Sequence, residues 1–343
     1  MTARARWLRA ALPIAVIVLA CVSTSIGSIA TTPIDVGHAI AHRVGLAAAG
    51  PEDGVLWAVR FPRVVLAIVV GAALGVSGAA MQGIFRNPLV DPGLLGVSGG
   101  AALGAVVCFV FGARFIARLP PSLATYVVLL VAFSVALACA FAVERLGLRG
   151  GRATTASILL SGIAINALME AVRGIGIVLA NDAQLRTITF WSLGSLGGAT
   201  WSVVLPLVPA VLLPTIFLAR MGRSLNVLAL GEREAGHLGV SVDAIKRRVL
   251  FLSAIAVGAS VSLVGIIAFV GLVVPHVVRL AAGPDQRFVL PGSALAGAGL
   301  LLVADMIARR IASPQELPIG AVTACVGAPF FLYLLRRDQR RIA

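Results

Sequence analysis

Arg220–Arg248, RMGRSLNVLALGEREAGHLGVSVDAIKRR, is the longest polar island in a chain of 343 residues that is otherwise mostly hydrocarbon. Apolar runs long enough to cross a bilayer flank it on both sides, so it reads as a loop held at one membrane face. Within it, Ser224 is placed to cap a short helix over Leu225–Leu230 and Gly231 to break that helix. Glu232–Leu238 then forms a second short helix ending at Gly239. The apolar residues Leu225, Val227, Leu228 and Leu230, then Ala235 and Leu238, make a knob suited to a groove on another protein. The plainer reading is a loop that turns the chain round. A turn, however, needs only a handful of residues.

Composition agrees with a membrane chain. Hydrophobic residues make up 59% and charged residues 12%, against a charged share of about 25% in soluble domains. The formal charge of +14 does not point to nucleic acid. The basic residues are spread over short loops, and Lys246 is the only lysine among 28 cationic side chains. No basic stripe with interleaved aromatics is present to track a phosphate backbone. Loops facing an anionic inner leaflet account for the excess better, which makes membrane lipid a partner and nucleic acid not. Cys21, Cys108, Cys139 and Cys325 all lie inside apolar runs without CxxC spacing, as small hydrophobes do.

Taken in order, Arg4, Arg6 and Arg9 precede an apolar run from Ala10 to about Ala30. A basic start and apolar core also suit a cleavable signal peptide, but the topology needs this run as an uncleaved first helix. Thr31–Phe61 reads as a polar outer loop and Pro62–Phe85 as a second span. Arg86–Pro92 is an inner turn, and Leu94–Phe111 returns outward, dense in small residues that allow close helix approach. After the outer loop Gly112–Pro121, Leu123–Val143 crosses inward, Glu144–Arg152 is a basic inner loop, and Thr155–Ala180 crosses outward. Asn181–Trp201 is too polar to face lipid, although Phe190, Trp191 and Trp201 suit an interface. Ser202–Ala219 leads into the polar island. From Val249 to Leu280 the chain is apolar throughout, roughly 48 Å as one helix against a core of about 30 Å. It is therefore two spans, with the break near Gly265–Gly271 and Pro275 disturbing the second. Val289–Ile307 and Ile319–Leu335 complete the set.

The expectation is an all-α polytopic membrane protein of about ten transmembrane helices with both termini cytoplasmic. Nineteen Lys and Arg then fall on the cytoplasmic side and nine on the outer side, as the positive-inside rule requires.

Four blocks carry a resemblance. They are RFPRVVLAIVVGAALGVSGAAMQGIFRNPLVDPGLLGVSGGAALG at Arg60–Gly104, LNVLALGEREAGHLGV at Leu225–Val240, FVGLVVPHVVRL at Phe269–Leu280 and LPIGAVTACVGAPFFLYLL at Leu317–Leu335. Together the chain resembles the permeases of bacterial ABC importers for iron–siderophores, vitamin B12 and haem. DAQLRTITFWSLGSLGGATW at Asp182–Trp201 is most similar to the haem branch. The resemblance implies a single transmembrane permease domain over residues 1–343 in the bacterial inner membrane. It also implies a homodimer, two cytoplasmic ATP-binding subunits and a periplasmic substrate-binding protein. Leu225, Leu228, Leu230, Gly231, Glu232, Ala235, Leu238 and Gly239 would form the element that couples to the ATPase. Arg60, Arg63 and Arg309 would hold carboxylates of the binding protein, and Thr154 and Thr155 match a hydroxyl position at the inner gate.

Residue chemistry narrows the function independently. No G-x-x-x-x-G-K-[ST] motif occurs, and the one lysine lies in DAIKRR without a glycine loop before it. The chain is therefore not itself the ATPase. ATP and Mg²⁺ would be bound by a partner subunit, and no cofactor is expected in this chain. Arg60 and Arg63 flank an outer helix start, where the macrodipole disfavours cations; snorkelling to headgroups is the bland alternative. Asp305 and Arg309, at i and i+4, suit an internal pair, as do Glu170 and Arg173, which are expected to neutralise each other facing the protein interior. His276 beside Pro275 reads as structural, and His38 with His42 lacks a third metal ligand. A gradient-driven secondary transporter would want ionisable groups near the midplane and would leave the polar island unexplained. An intramembrane enzyme would want a catalytic constellation such as HExxH or GxSxG, and neither occurs.

Overall fold

The computed structural model describes residues 3–27, 31–149, 152–153, 155–313 and 315–342. Its helices are α1 (Ala3–Ser25), α2 (Pro33–Arg43), α3 (Phe61–Phe85), α4 (Val97–Val106), α5 (Pro121–Gly147), α6 (Thr155–Val178) and α7 (Asp182–Ser192). There follow α8 (Trp201–Arg220), α9 (Gly222–Ala229), α10 (Glu232–His237), α11 (Val242–Val264), α12 (Val270–Ala282), α13 (Gln286–Ile311) and α14 (Ile319–Ile342). Two-residue strands, β1 (Leu148–Arg149) and β2 (Arg152–Ala153), form an antiparallel hairpin between α5 and α6. Apart from this hairpin and a few single turns the described chain is helical, in keeping with the all-α expectation.

Seven helices are long and apolar enough to cross a membrane, and three more, at Val97–Phe111, Val270–Ala282 and Ile319–Tyr333, are apolar but shorter. The centre of the molecule is α3, buried along most of its length. Its sequence explains why. Gly71 and Gly75 face α13, where a Cβ on Gly75 would meet the Ser293 carbonyl, and one on Gly71 the Gly297 carbonyl, well inside van der Waals distance. Small residues thus let two backbones touch, which substitutes for the hydrophobic drive that lipid cannot supply.

The expected break in the long apolar stretch is present. Helix α11 stops at Val264, Gly265 and Phe269 take positive φ, and α12 starts at Val270. The freed backbone groups are met by the loop after α7, with the Ser195 amide donating to the Val264 carbonyl at 2.8 Å. Buried backbone of this kind must find such partners.

The outer stretch Thr31–Phe61 is more ordered than a polar loop. Thr32 and Asp35 form a reciprocal capping box that starts α2, and a helical lead from Asp53 through Arg60 runs directly into α3. Trp57 secures this layer. Its indole donates to the Ala39 carbonyl, and its own carbonyl accepts from Trp201 at 2.6 Å. Trp201 is therefore tied into the fold by its N–H rather than only facing an interface.

Candidate functional site

The polar island folds as two short helices on a buried base. Helix α9 begins at Gly222, one turn earlier than Ser224 would set it, and Ser224 makes no cap. The correction has a simple cause: α8 ends at Arg220 and Met221 alone separates the two helices, so the chain never leaves helical geometry long enough to need a side-chain cap. Gly231 does break the pair. Its φ of 131° lies where L side chains are strained, and a Cβ there would strike the Glu234 carboxylate. Helix α10 follows at once, and Gly239, also at positive φ, ends the unit.

The apolar residues of the knob divide between two directions. Leu225, Leu228 and Ala235 are fully buried within this chain, Leu225 against the end of α3 at Gly83. Their burial removes them from any surface another protein could meet. Leu230 and Leu238 point outward, 65% and 62% exposed. An amphipathic helix shows which residues are apolar but not which body covers them, and the structure assigns three to the base and two to the tip, with Val227 half-buried between them.

Two polar links hold the base. Lys246 at the start of α11 is 2% exposed and donates from Nζ to Glu232 Oε1 at 2.7 Å. Asn226 on α9 donates from Nδ2 to Asp285 Oδ1 at 2.7 Å and accepts from the Gln286 amide at 2.8 Å, joining α9 to the start of α13. Hydrogen bonds from Arg287, above all, together with the one from Asn226, hold the Asp285 carboxyl well below the usual carboxylate range. Sequence reasoning missed Asn226 and Asp285, because their partnership spans far-separated positions with no local signature. Lys246 carried a signal, as a lone lysine among arginines.

At the opposite end of α3 lie the three arginines. None forms an open cationic surface. Arg63 donates from Nε to Asp305 Oδ1 at 2.9 Å and bidentately to Glu316 at 2.8 and 3.0 Å. Arg309 meets the other Asp305 oxygen at 3.0 Å and donates to the carbonyls of Ser23 and Ile26. Arg60 donates to the Thr24 carbonyl at 2.6 Å and to the Thr31 hydroxyl. Asp305 is wholly buried between Arg63 and Arg309, whereas Glu316 is 44% exposed. The Asp305–Arg309 pair read from the i, i+4 spacing is thus present, and the arginines are satisfied first by their own chain.

Glu170 and Arg173 also pair, Arg173 Nε donating to Glu170 Oε2 at 2.9 Å. Glu170 is exposed on α6, whereas Arg173 is half-buried and also reaches the Ser192 hydroxyl on α7, so the pair sits at the edge of this chain rather than wholly within it. Thr154 lies outside the described residues, and Thr155 is the first residue of α6. The His276 ring packs edge-on against Phe330, joining α12 to α14, and His42 pairs with Asp53 at 2.7 Å. Among the described residues no group of three or more His, Cys, Asp or Glu side chains is assembled as a metal site.

A membrane bundle with an inserted two-helix unit, seated on one end of its central helix, has clear relatives. The model of the FecCD transport family matches residues 15–337. The chain belongs to the FecCD transport family. It is 48% identical to the hemin transport system permease protein HmuU of Yersinia pestis over 286 residues, covering 82% of this chain and 83% of that one. It is 42% identical to the cobalamin import system permease protein BtuC of Halobacterium salinarum, covering 88% and 79%. A solved ABC transporter described as of metal-chelate type, in an inward-facing conformation, superposes with a TM-score of 0.83 at 29% identity, covering 97% of this chain and 99% of that one. As a FecCD member the chain is a multi-pass ABC importer permease, and that sets aside the gradient-driven transporter and the intramembrane enzyme.

Proposed function

We propose that the chain is one half of a homodimeric permease of the bacterial inner membrane that passes haem from a periplasmic binding protein into the cytoplasm. Two separate ATP-binding subunits, which hold ATP and Mg²⁺, supply the energy. The 343 residues form one transmembrane permease domain. On this reading the seven long helices and the three shorter apolar ones are ten spans. Both termini and residues 220–248 are cytoplasmic, and Thr154–Thr155 lies at the inner gate.

The observation that carries the reading is the α9–α10 unit. Two exposed leucines project from a base pinned by Lys246–Glu232 and Asn226–Asp285. A rigid base with an apolar tip is what a groove on a partner needs if force is to pass through it. The ion cluster of Arg63, Asp305, Arg309 and Glu316 marks the other end, where the binding protein docks. Haem is favoured by the more similar of the two named relatives and by Asp182–Trp201. Vitamin B12 is the second reading, favoured by the cobalamin relative, and ferric siderophore the third.

Binding measurements on the partner binding protein, with haem, B12 and ferric siderophores, test the substrate. Uptake of labelled haem through the reconstituted transporter, unaffected by excess B12, is the expected result. Uptake of B12 that excess haem leaves unchanged would replace haem by B12.

A further inference from the structure

Between α5 and α11, on the side of the molecule that carries residues 220–248, lies a groove that the transport reading does not use. Its apolar part has a volume of about 330 Å³ and is lined by Leu95, Leu137, Phe141, Ile158, Leu250 and Phe251, among others. A second cavity of about 530 Å³ is lined by Glu144, Arg145, Arg247 and Arg248 and shares Phe141, Glu144 and Phe251 with the first. The two adjoin at these three residues and together form a cleft with an apolar part and a basic mouth. The apolar part alone falls within the range of small-molecule sites, about 300–1,000 Å³.

The two helices build the mouth in the same way. On α5, Phe141 is followed one turn later by Arg145; on α11, Phe251 is preceded one turn earlier by Arg247 and Arg248. Each helix thus sets an aromatic ring at the apolar edge and a guanidinium beyond it. Arg145 sits over the Phe141 ring, 4.7 Å from its centroid. Three arginines face a single carboxylate there. Glu144 Oε1 forms an ion pair with Arg247 Nε at 3.1 Å, and among the described residues no carboxylate pairs with Arg145 or Arg248. The mouth therefore retains positive charge beside an apolar slot.

Isolated arginines at a membrane face commonly do no more than meet the headgroup layer. Here the cations converge on a slot that a free anion leaves unfilled and a neutral lipid leaves uncompensated. Only an anionic amphiphile satisfies both halves. We propose that this cleft binds an anionic phospholipid, one acyl chain between Phe141, Ile158 and Phe251 and the phosphate on Arg145 and Arg248. The site does not depend on which substrate is transported.

The test is a titration of the purified full-length permease in detergent with phosphatidylglycerol or phosphatidylcholine, bound lipid being read by native mass spectrometry. Arg145→Gln with Arg248→Gln is expected to weaken phosphatidylglycerol binding about 25-fold, at about fivefold for each interfacial arginine, and to leave phosphatidylcholine unchanged. Both side chains are exposed, so the fold should survive their loss. Glu144→Gln is expected to tighten phosphatidylglycerol binding by releasing Arg247. Inorganic phosphate should not compete, and benzoylphenylalanine at position 251 should crosslink to lipid. Equal binding of the two lipids, no loss in the double variant, displacement by phosphate, or a crosslink from position 251 to a second copy of the chain would each overturn the proposal.

Discussion

Lys246 and Glu232 form an ion pair at 2.7 Å that ties the first turn of α10 to the first turns of α11. The cation is almost fully buried while the carboxylate is nearly half exposed. Losing the pair weakens the compensation of a charge held out of water on the Lys246 side, whereas the Glu232 carboxylate at the surface recovers water when its partner is lost. The pair is therefore asymmetric, and that asymmetry can be measured. Glu232→Ala should destabilise the permease by on the order of 1–3 kcal/mol, and Lys246→Met by distinctly less. Thermal unfolding of the two purified variants checks the order; equal losses would contradict the asymmetry.

The outer ion cluster gives a second prediction. Arg63→Ala leaves the wholly buried Asp305 with Arg309 as its remaining ion-pair partner, so the loss is that of hydrogen bonds to a still-paired carboxylate, about 1.5–3 kcal/mol. The variant should unfold at a distinctly lower temperature than the parent. Glu316→Gln is different, because Glu316 lies at the surface and Arg63 keeps Asp305. That variant should fold and bind its periplasmic partner several-fold more tightly, since Arg63 is freed for an incoming carboxylate. Weaker binding on removal of Glu316 would place docking elsewhere.

Helix contact at the centre predicts intolerance of side chains. Gly75→Val would push a branched side chain into the Ser293 carbonyl, and backbone cannot yield as a flexible side chain can. The variant should fail to reach a monodisperse state in detergent, whereas Gly174→Ala on α6, with nothing near its Cβ, should behave as the parent does. Size-exclusion profiles of the two decide it.

How much of this was legible in the chain depends on the range over which each feature is determined. Gly231 and the break after Val264 were readable, because positive φ and a 30 Å bilayer limit act locally. Thr32 and Asp35 carry a capping signature for α2, but the polar stretch around them has the composition of a loop. Asp305–Arg309 was visible as an i, i+4 pair; Glu316 was not, being linked to Arg63 across 253 residues. The burial of Leu225, Leu228 and Ala235 was hidden for the same reason. Apolarity is written in the sequence, whereas the covering surface at the end of α3 is made only by folding.

Acid should loosen the α9–α13 link. The Asp285 carboxyl is depressed, chiefly by hydrogen bonds from Arg287, so its contribution is present above the unfolded value of about 4 and is lost as pH falls below it. Between pH 7 and pH 3 the parent should lose more thermal stability than Asp285→Asn. Identical losses in the two proteins would remove Asp285 from the account.

The central claim is that α9 and α10 drive transport by seating Leu230 and Leu238 in the ATPase. Leu238→Asp leaves the buried base untouched but would bury an unpaired charge at that seat, which is strongly unfavourable. The direct measurement is co-purification of the ATP-binding subunit with Leu238→Asp permease, together with uptake in proteoliposomes made from the same preparation. Loss of the ATPase or of ATP-driven uptake, with membrane insertion and dimerisation intact, is the predicted result. Full association with full uptake would contradict it and reduce residues 220–248 to a connecting loop.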